Sequence, residues 1–375
     1  MPLHFFNHFP MKRRHALKFA LAGLSIPSSL RAAALKMETM EAAAQLVHKQ
    51  VEAGMLESAV LRVQRGDDVF QKTFGKAGAD SMFLLGSITK TMTATAVMVL
   101  ADRGELSLSD RVMKFIPEFS EGPRKQITVE QILTHTSGLP DQLPENNDLR
   151  RRHAPMTDFV QAVVHTPLLF QPGEKYHYQS MGILLAAEIV QRVSKTPLPD
   201  FLAKHVFTPL GMKRSVLGMG SFTSKDVVRL QTEHAAPESG AGSPEAKDWD
   251  WNSPWWRSFG ASWGGAQCTA HDVTIFLRSF LHPDGKVLKP ETAQLMIQNH
   301  TPGMEAQRGI GFAMGPHGFG KACSEKTFGH SGSTGCLAWA DPQTDTSFVL
   351  LSSLPLRVSG DLFVHAVANV VSEMK

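Results

Sequence analysis

Ser87-Ile88-Thr89-Lys90-Thr91-Met92-Thr93-Ala94-Thr95-Ala96-Val97-Met98-Val99-Leu100-Ala101-Asp102 decides the reading of this 375-residue chain. The stretch predicts a helix over 87–102, and over 94–100 it is apolar almost all round, the mark of a helix buried on every side. At its head, Lys90 follows Ser87 by three residues. On a 3.6-residue turn that spacing puts the amine on nearly the same face as the hydroxyl, within reach of its proton. The first N–H groups of a helix have no intrahelical partner, so the Ser87 N–H is free to face developing negative charge. Nucleophile, base and half of an oxyanion site can thus come from one turn. The plainer alternative makes Ser87 a helix N-cap and Lys90 a solvated first-turn residue. The same Ser-x-x-Lys spacing at Ser372 and Lys375 only ends the chain.

Working outward, 35–54 has helical spacing, and 58–74 alternates apolar and polar around Gly66-Asp67-Asp68, a helix followed by a β-hairpin. The section from about 105 to 270 mixes short helical patches, such as 181–193, with Pro- and Gly-rich connections and shows no strand alternation. Strands return at 309–312, 336–340 and 347–351, and a helix over 360–373 closes the chain. Strands at both ends with helices between them predict an α/β (α+β) fold. In it, the N- and C-terminal segments build one antiparallel sheet flanked by helices, with a mainly helical lobe inserted. The cleft between sheet and lobe is the natural place for a site.

Composition narrows the class. With 42% hydrophobic and 19% charged residues the chain can bury a substantial core, and no uninterrupted apolar run reaches the roughly 18 residues of a spanning helix. The formal charge is +3, but residues 1–34 hold Lys12, Arg13, Arg14, Lys18 and Arg31 and no acid, so they carry +5. The remaining 33 basic and 35 acidic side chains sum to −2, which leaves no basic face for nucleic acid. Residues 1–34 read as an export leader. A basic cluster at 12–14 precedes an apolar run over 19–26 and then Ala32-Ala33-Ala34, a plausible cleavage site. Arg13-Arg14-His15-Ala16-Leu17-Lys18 resembles the twin-arginine pattern, with Ala16 a poor match at the bulky position. The expectation is an exported, periplasmic or extracellular protein whose mature domain is 35–375; an amphipathic helix is the alternative, and Met11 is a second possible start. Cys268, Cys323 and Cys336 have no C-x-x-C spacing, so neither zinc nor a redox dithiol is indicated, while one disulfide is open.

The only two tyrosines, Tyr176 and Tyr178, lie in Pro172-Gly173-Glu174-Lys175-Tyr176-His177-Tyr178-Gln179-Ser180, just before a predicted helix. A phenol near a lysine can share its proton-transfer work; without the serine motif, two aromatic anchors packing a loop would be the better reading. Further on, Gly329-His330-Ser331-Gly332-Ser333 falls between two predicted strands, where its backbone can line an edge beside the serine.

These three elements, in this order, resemble the S-x-x-K, Y-x-N and K-T-G motifs of the serine β-lactamase and penicillin-binding-protein superfamily, and most of all its class C and esterase branch. Supporting resemblance comes from Gly104-Glu-Leu-Ser-Leu-Ser-Asp110, Ile127-Thr-Val-Glu-Gln-Ile-Leu-Thr-His-Thr-Ser-Gly-Leu-Pro140, Pro209-Leu-Gly-Met-Lys213 and Ala340-Asp-Pro-Gln-Thr-Asp345. The resemblance covers about 40–373. It implies an acylated nucleophile at Ser87, a proton-transfer pair of Lys90 and Tyr178, and an oxyanion hole from the Ser87 and Ser333 N–H groups. His330 takes the place of the first residue of K-T-G. Ser180 stands where β-lactamases carry Asn, and His330-Ser331 where they carry Lys-Thr. A neutral imidazole, with an ordinary pKa of about 6.5, is a weaker carboxylate partner than lysine. Both departures point away from a dedicated β-lactamase and towards small esters. Some D-amino-acid peptidases of the superfamily carry His at that position, so a peptidase or weak β-lactamase remains the alternative.

A lysine of ordinary pKa is neutral in only about one molecule in 2,500 at pH 7, so Lys90 can act as a base only if burial or cationic neighbours lower it. Around the cleft, Ser180, Ser331, Gly332, Trp255 and Trp256 are the candidate substrate contacts. Five of the six tryptophans fall within 249–263, and walling an acyl subsite and packing the lobe explain them equally well. Gly329-His330-Ser331-Gly332 also looks like the start of a G-x-S-x-G elbow, but Ser333 replaces the last glycine, leaving only Asp341 or Asp345 with His365 as partners. No H-E-x-x-H or phosphate loop is present, and no metal or cofactor is expected. The rival of another class is a ligand-binding or acylation-sensing protein that keeps the trio without turnover. Oligomeric state is left open.

Overall fold

A computed structural model describes residues 34–374; residues 1–33, on which the export-leader reading falls, and Lys375 lie outside the described residues. The first helix, α1, is Met37–Glu52, and its apolar positions Met40, Ala43, Ala44 and Val47 are buried at helical spacing. The alternating stretch after it forms β1 (Ser58–Arg65) and β2 (Asp68–Gly75), an antiparallel hairpin in register from Ser58 opposite Gly75 to Arg65 opposite Asp68. A small sheet follows, in the order β3 (Phe83–Leu84), β5 (Ala266–Cys268), β4 (Ser215–Leu217). None of its strands exceeds three residues, too short for the two-residue alternation that marks a strand in sequence.

The C-terminal strands are β6 (Ala313–Met314), β7 (Phe328–Gly332), β8 (Cys336–Asp341) and β9 (Thr346–Ser352). β9 pairs antiparallel with β1, closing a six-stranded sheet of order β2-β1-β9-β8-β7-β6. The two chain ends therefore meet in one antiparallel sheet, as the sequence predicts. β8 and β9 are buried on both faces, and their side chains alternate between two cores. Leu337, Trp339, Phe348 and Leu350 pack against α1 and the helix His365–Ser372, whereas Ala338, Ala340, Val349 and Leu351 face the core of the inserted lobe.

That lobe is built around α2 (Thr89–Asp102), in which every residue from Thr89 to Leu100 is buried. Its threonines are tolerable there because each hydroxyl is satisfied: Thr91 donates to Ile88 O (2.8 Å), Thr93 to Ser262 O (2.7 Å) and Thr95 to Thr91 O (2.8 Å). Beyond α2 the lobe comprises α3 (Val129–Leu133), α4 (Asn146–Arg151), α5 (Met156–His165) and α6 (Met181–Ser194), of which α6 packs along α2 and is itself contacted by α3 and α5.

Three local expectations change. The strand predicted at 309–312 is a loop, because Gly311 takes a φ of 80° and donates its N–H to Leu133 O; only Ala313–Met314 pairs with β7. The segment 329–333, placed between strands, is mostly strand itself. The closing helix starts earlier, at Leu356, and is widened by a π-turn at Gly360–Val364. The three cysteines are free and buried, so no disulfide forms among them.

Candidate active site

A 3-10 turn, Gly86–Ile88, links β3 to α2, so Ser87 sits on the turn and Lys90 in the first turn of the α-helix proper. The Lys90 side chain is fully buried, and its Nζ donates to Ser87 Oγ (2.9 Å) and Trp263 O (3.0 Å). Loss of hydration disfavours the ammonium. Burial, opposed by the carboxylate of Asp141 and assisted by the guanidinium of Arg308, brings Lys90 down to about 7. An amine of that kind is neutral in about half of the molecules at pH 7. The Nζ lies 4.9 Å from the centre of the Tyr178 ring. Desolvation holds the Tyr178 phenol well above the usual tyrosine value, with Asp141 adding to the effect and a hydrogen bond with the Ser87 side chain opposing it.

The tyrosine loop rests on the segment that follows α3. That helix begins with a reciprocal capping box, Thr128 with Gln131, which fixes where the chain leaves it. Beyond it, His135 O accepts from His177 N–H (2.9 Å), Thr136 O from Gly173 N–H (2.8 Å), and Ser137 Oγ donates to Gln179 Oε1 (2.7 Å). His135 takes a φ of 61°, unusual for a residue with a side chain, and its ring packs 4.8 Å from that of Tyr178. Its Nδ1 accepts from Gln179 N–H (3.3 Å), while burial and the nearby cations keep the ring neutral. The stretch 127–140 thus acts as the bed on which Tyr178 is laid.

On the opposite side, the end of β7 comes against the serine turn because two positions lack a side chain. A Cβ on Gly332 would lie 2.0 Å from Leu85 O, and one on Gly86 would lie 3.2 Å from Ser333 N. Thr334 Oγ1 donates to Leu84 O (2.7 Å) and pins the approach. Among the described residues no protein acceptor is hydrogen-bonded to the Ser87 or Ser333 N–H. Two N–H groups at one edge of a cavity beside a lysine-activated hydroxyl can stabilise a tetrahedral oxyanion.

The cavity measures about 180 Å³. Its floor is Gly86, Ser87, Tyr178, Ser180, Ser333 and Thr334; its walls include Trp251, Trp256 and Trp263 and the charged residues Asp141, Arg150, Glu238 and Arg357. Ser180 Oγ donates to Asp141 Oδ1 (2.6 Å). The Arg150 guanidinium stacks 3.9 Å from the centre of the Trp256 ring and donates to Glu238 O.

A family profile described as Beta-lactamase matches residues 43–364. The chain belongs to the beta-lactamase family. Protein flp of Staphylococcus aureus is 27% identical over 55% of this chain, and the match spans only 43% of that protein. A Salmonella enteritidis protein provisionally named D-alanyl-D-alanine carboxypeptidase is 25% identical over 82% of this chain and 81% of its own length. Among solved structures, EstCE1, described as a hydrolase with promiscuous acyltransferase activity, superposes with a TM-score of 0.72 at 18% identity, over 90% of this chain and 98% of its own. The fold is that of the serine β-lactamase and penicillin-binding-protein superfamily, and the protein is a serine hydrolase of that superfamily.

Within this family member, Ser87, Tyr178, Ser180 and Ser333 line one cavity, Lys90 lies buried beneath it with its Nζ 2.9 Å from Ser87 Oγ, and Trp256 joins the wall. Others stand apart. His330 is buried behind Tyr178, ring centres 6.0 Å apart, with Nδ1 2.6 Å from Ser331 O; Ser331 and Gly332 likewise do not line the cavity. Trp255 points away and stacks on His153 at 5.0 Å, while Trp251 and Trp263 take wall positions. The elbow alternative is not assembled: Asp341 serves Ser324, and Asp345 pairs with His282 and Arg278. Sequence reasoning missed Asp141, Arg150, Glu238, Arg308 and Arg357. Asp141 directly follows the 127–140 stretch and could have been found there; the other four have no local signal.

Proposed function

We propose that this hydrolase cleaves small carboxylic esters by way of an acyl-enzyme on Ser87. The observation that carries the reading is the fully buried Lys90 amine, lowered to about 7, donating to Ser87 Oγ at 2.9 Å. Ser87 Oγ attacks the ester carbonyl carbon while its proton passes to neutral Lys90, and the oxyanion is held by the Ser87 and Ser333 N–H groups. Collapse breaks the C–O bond to the leaving group, and the Lys90–Tyr178 pair returns the proton to the departing alkoxide as alcohol. Water, deprotonated by the same pair, then attacks the acyl-enzyme and releases acid and free Ser87. Two features favour esters. No lysine stands at the start of the K-T-G-like segment, where β-lactams are matched. The cavity of about 180 Å³ lies below the roughly 300–1,000 Å³ of sites that enclose drug-sized ligands.

One observation favours a second reading. Asp141 places a carboxylate on the cavity wall, and among the described residues its side chain is paired with no cation. An aminoacyl amide or peptide would bring an ammonium to it, in keeping with the name of the Salmonella enteritidis relative. The test is the initial rate of p-nitrophenyl butyrate hydrolysis, beside D-alanine p-nitroanilide and a chromogenic cephalosporin, for wild type and Ser87→Ala. Turnover fastest on the ester and abolished by the substitution is expected. A faster anilide favours the peptidase, a burst without steady turnover favours an acylation sensor, and activity surviving in Ser87→Ala refutes the nucleophile. The leader reading adds export as part of the proposal, and N-terminal sequencing of secreted protein beginning near residue 35 tests it.

A further inference from the structure

Arg308 is 5% exposed, yet among the described residues no carboxylate pairs with it. Its guanidinium lies 5.8 Å from the centre of the Tyr176 ring and 5.9 Å from that of Tyr178, within the range of a cation–π contact, and one nitrogen is 3.4 Å from His330 Nε2. Its Nε is buried without a partner. The backbone is clamped on both sides, since Arg308 N–H donates to Thr301 Oγ1 (2.9 Å) and Arg308 O accepts from His300 N–H (2.7 Å). A buried unpaired cation is a cost to the fold, so its position calls for a reason.

His330 supplies that reason. With Nδ1 donating to Ser331 O, Nε2 must accept from Arg308, and the imidazole is neutral. Position 330, where the family pattern has a lysine, therefore carries no charge. We propose that Arg308 is a positioning residue of this site, a guanidinium delivered from 22 residues upstream that holds the tyrosine pair and the neutral His330 from behind and restores the missing positive charge. It does not line the cavity, so it acts through its neighbours and not on substrate.

The charged and titratable groups around it set the sign. Lys90 comes from α2, His135 and Asp141 from the segment after α3, Tyr176 and Tyr178 from the loop before α6, His330 from β7, and Glu305 from its own loop. Arg308 opposes the ammonium of Lys90 and favours an ionised Tyr178, whereas Asp141 does the reverse. Removing Arg308 leaves Asp141 unopposed, so Lys90 holds its proton to higher pH.

The inference rests on the Ser87 nucleophile of the proposed function but not on the choice of ester, so the test uses a probe of serine activation. Fluorophosphonate labelling of Ser87 in the full chain is followed by intact mass between pH 5.5 and 9.5 for wild type, Arg308→Gln and Arg308→Lys. Wild-type labelling should rise through an ionisation near pH 7. In Arg308→Gln that limb should move up by about one pH unit, slowing labelling about tenfold at pH 6 and less than twofold at pH 9.5. Arg308→Lys puts an amine in a buried place with no carboxylate partner, where it is charged only towards the lower pH, so its limb should move by less than that of Arg308→Gln. A folded Arg308→Gln whose limb is unmoved, or which is slowed equally at every pH, overturns the inference. If Arg308→Gln does not fold, Arg308→Met, which also removes the charge, decides by the same criterion, and an unmoved limb in that variant overturns the inference. A wild type unlabelled at Ser87 refutes the nucleophile, and this inference with it.

Discussion

Lys90 shows how one residue carries opposed demands. Its amine is lowered from 10.5 to about 7 by burial, so between those values the unfolded chain binds the proton that the folded chain gives up. Stability therefore rises with pH across that window, and below about 7 the fold bears the full cost of a buried ammonium. Lys90→Met should abolish turnover and stabilise the fold by on the order of 1–3 kcal/mol at pH 6.5, the gain reduced by the orphaned Trp263 carbonyl and shrinking towards pH 9.5. Urea unfolding at the two pH values measures it. A less stable variant at pH 6.5 would show that the hydrogen bonds to Ser87 and Trp263 outweigh desolvation. At this scale the Ser87–Lys90 pair was legible because its geometry is local, set by helical pitch alone. Asp141 and Arg308 were not, since their nearness to Lys90 across 51 and 218 residues comes only from the tertiary fold.

Among elements, the legible ones were those long enough to show a period: α1, the β1–β2 hairpin, α2, α6, β8 and β9. The small sheet was invisible in sequence, yet β3 is what delivers Gly86-Ser87 to the cavity edge. The meeting of this turn with β7 depends on Gly332, where a Cβ would lie 2.0 Å from Leu85 O. Gly332→Ala should push the end of β7 outward and carry the Ser333 N–H off the oxyanion position. The loss of one such donor costs about 100- to 1,000-fold in kcat, with KM little changed. Steady-state kinetics with a far-UV spectrum as a control for folding makes the test. A folded variant within threefold of wild type would mean that Ser333 contributes no oxyanion contact.

At the scale of the whole molecule, the sheet closed by both chain ends and the inserted lobe leave a small cavity whose far wall is aromatic. The sequence reading names Trp255 and Trp256 as candidate contacts, with packing of the lobe as the equal alternative, and only Trp256 of the two lines the cavity. The helix Pro254–Phe259 gives the reason: adjacent residues on a helix point about 100° apart, so Trp256 turns to the cavity and Arg150 while Trp255 turns to His153. Under the ester reading, Trp256 caps the space available to the acyl chain. Trp256→Ala should therefore move the preferred p-nitrophenyl ester from butyrate towards octanoate, with a stability loss of about 3–5 kcal/mol typical of a buried aromatic. Trp255→Ala should leave the chain-length profile unchanged, because its ring lies outside the cavity. Relative kcat/KM across acetate, butyrate, hexanoate and octanoate separates packing from selection. Equal profiles in all three proteins would assign Trp256 to packing alone and put the acyl subsite on another wall.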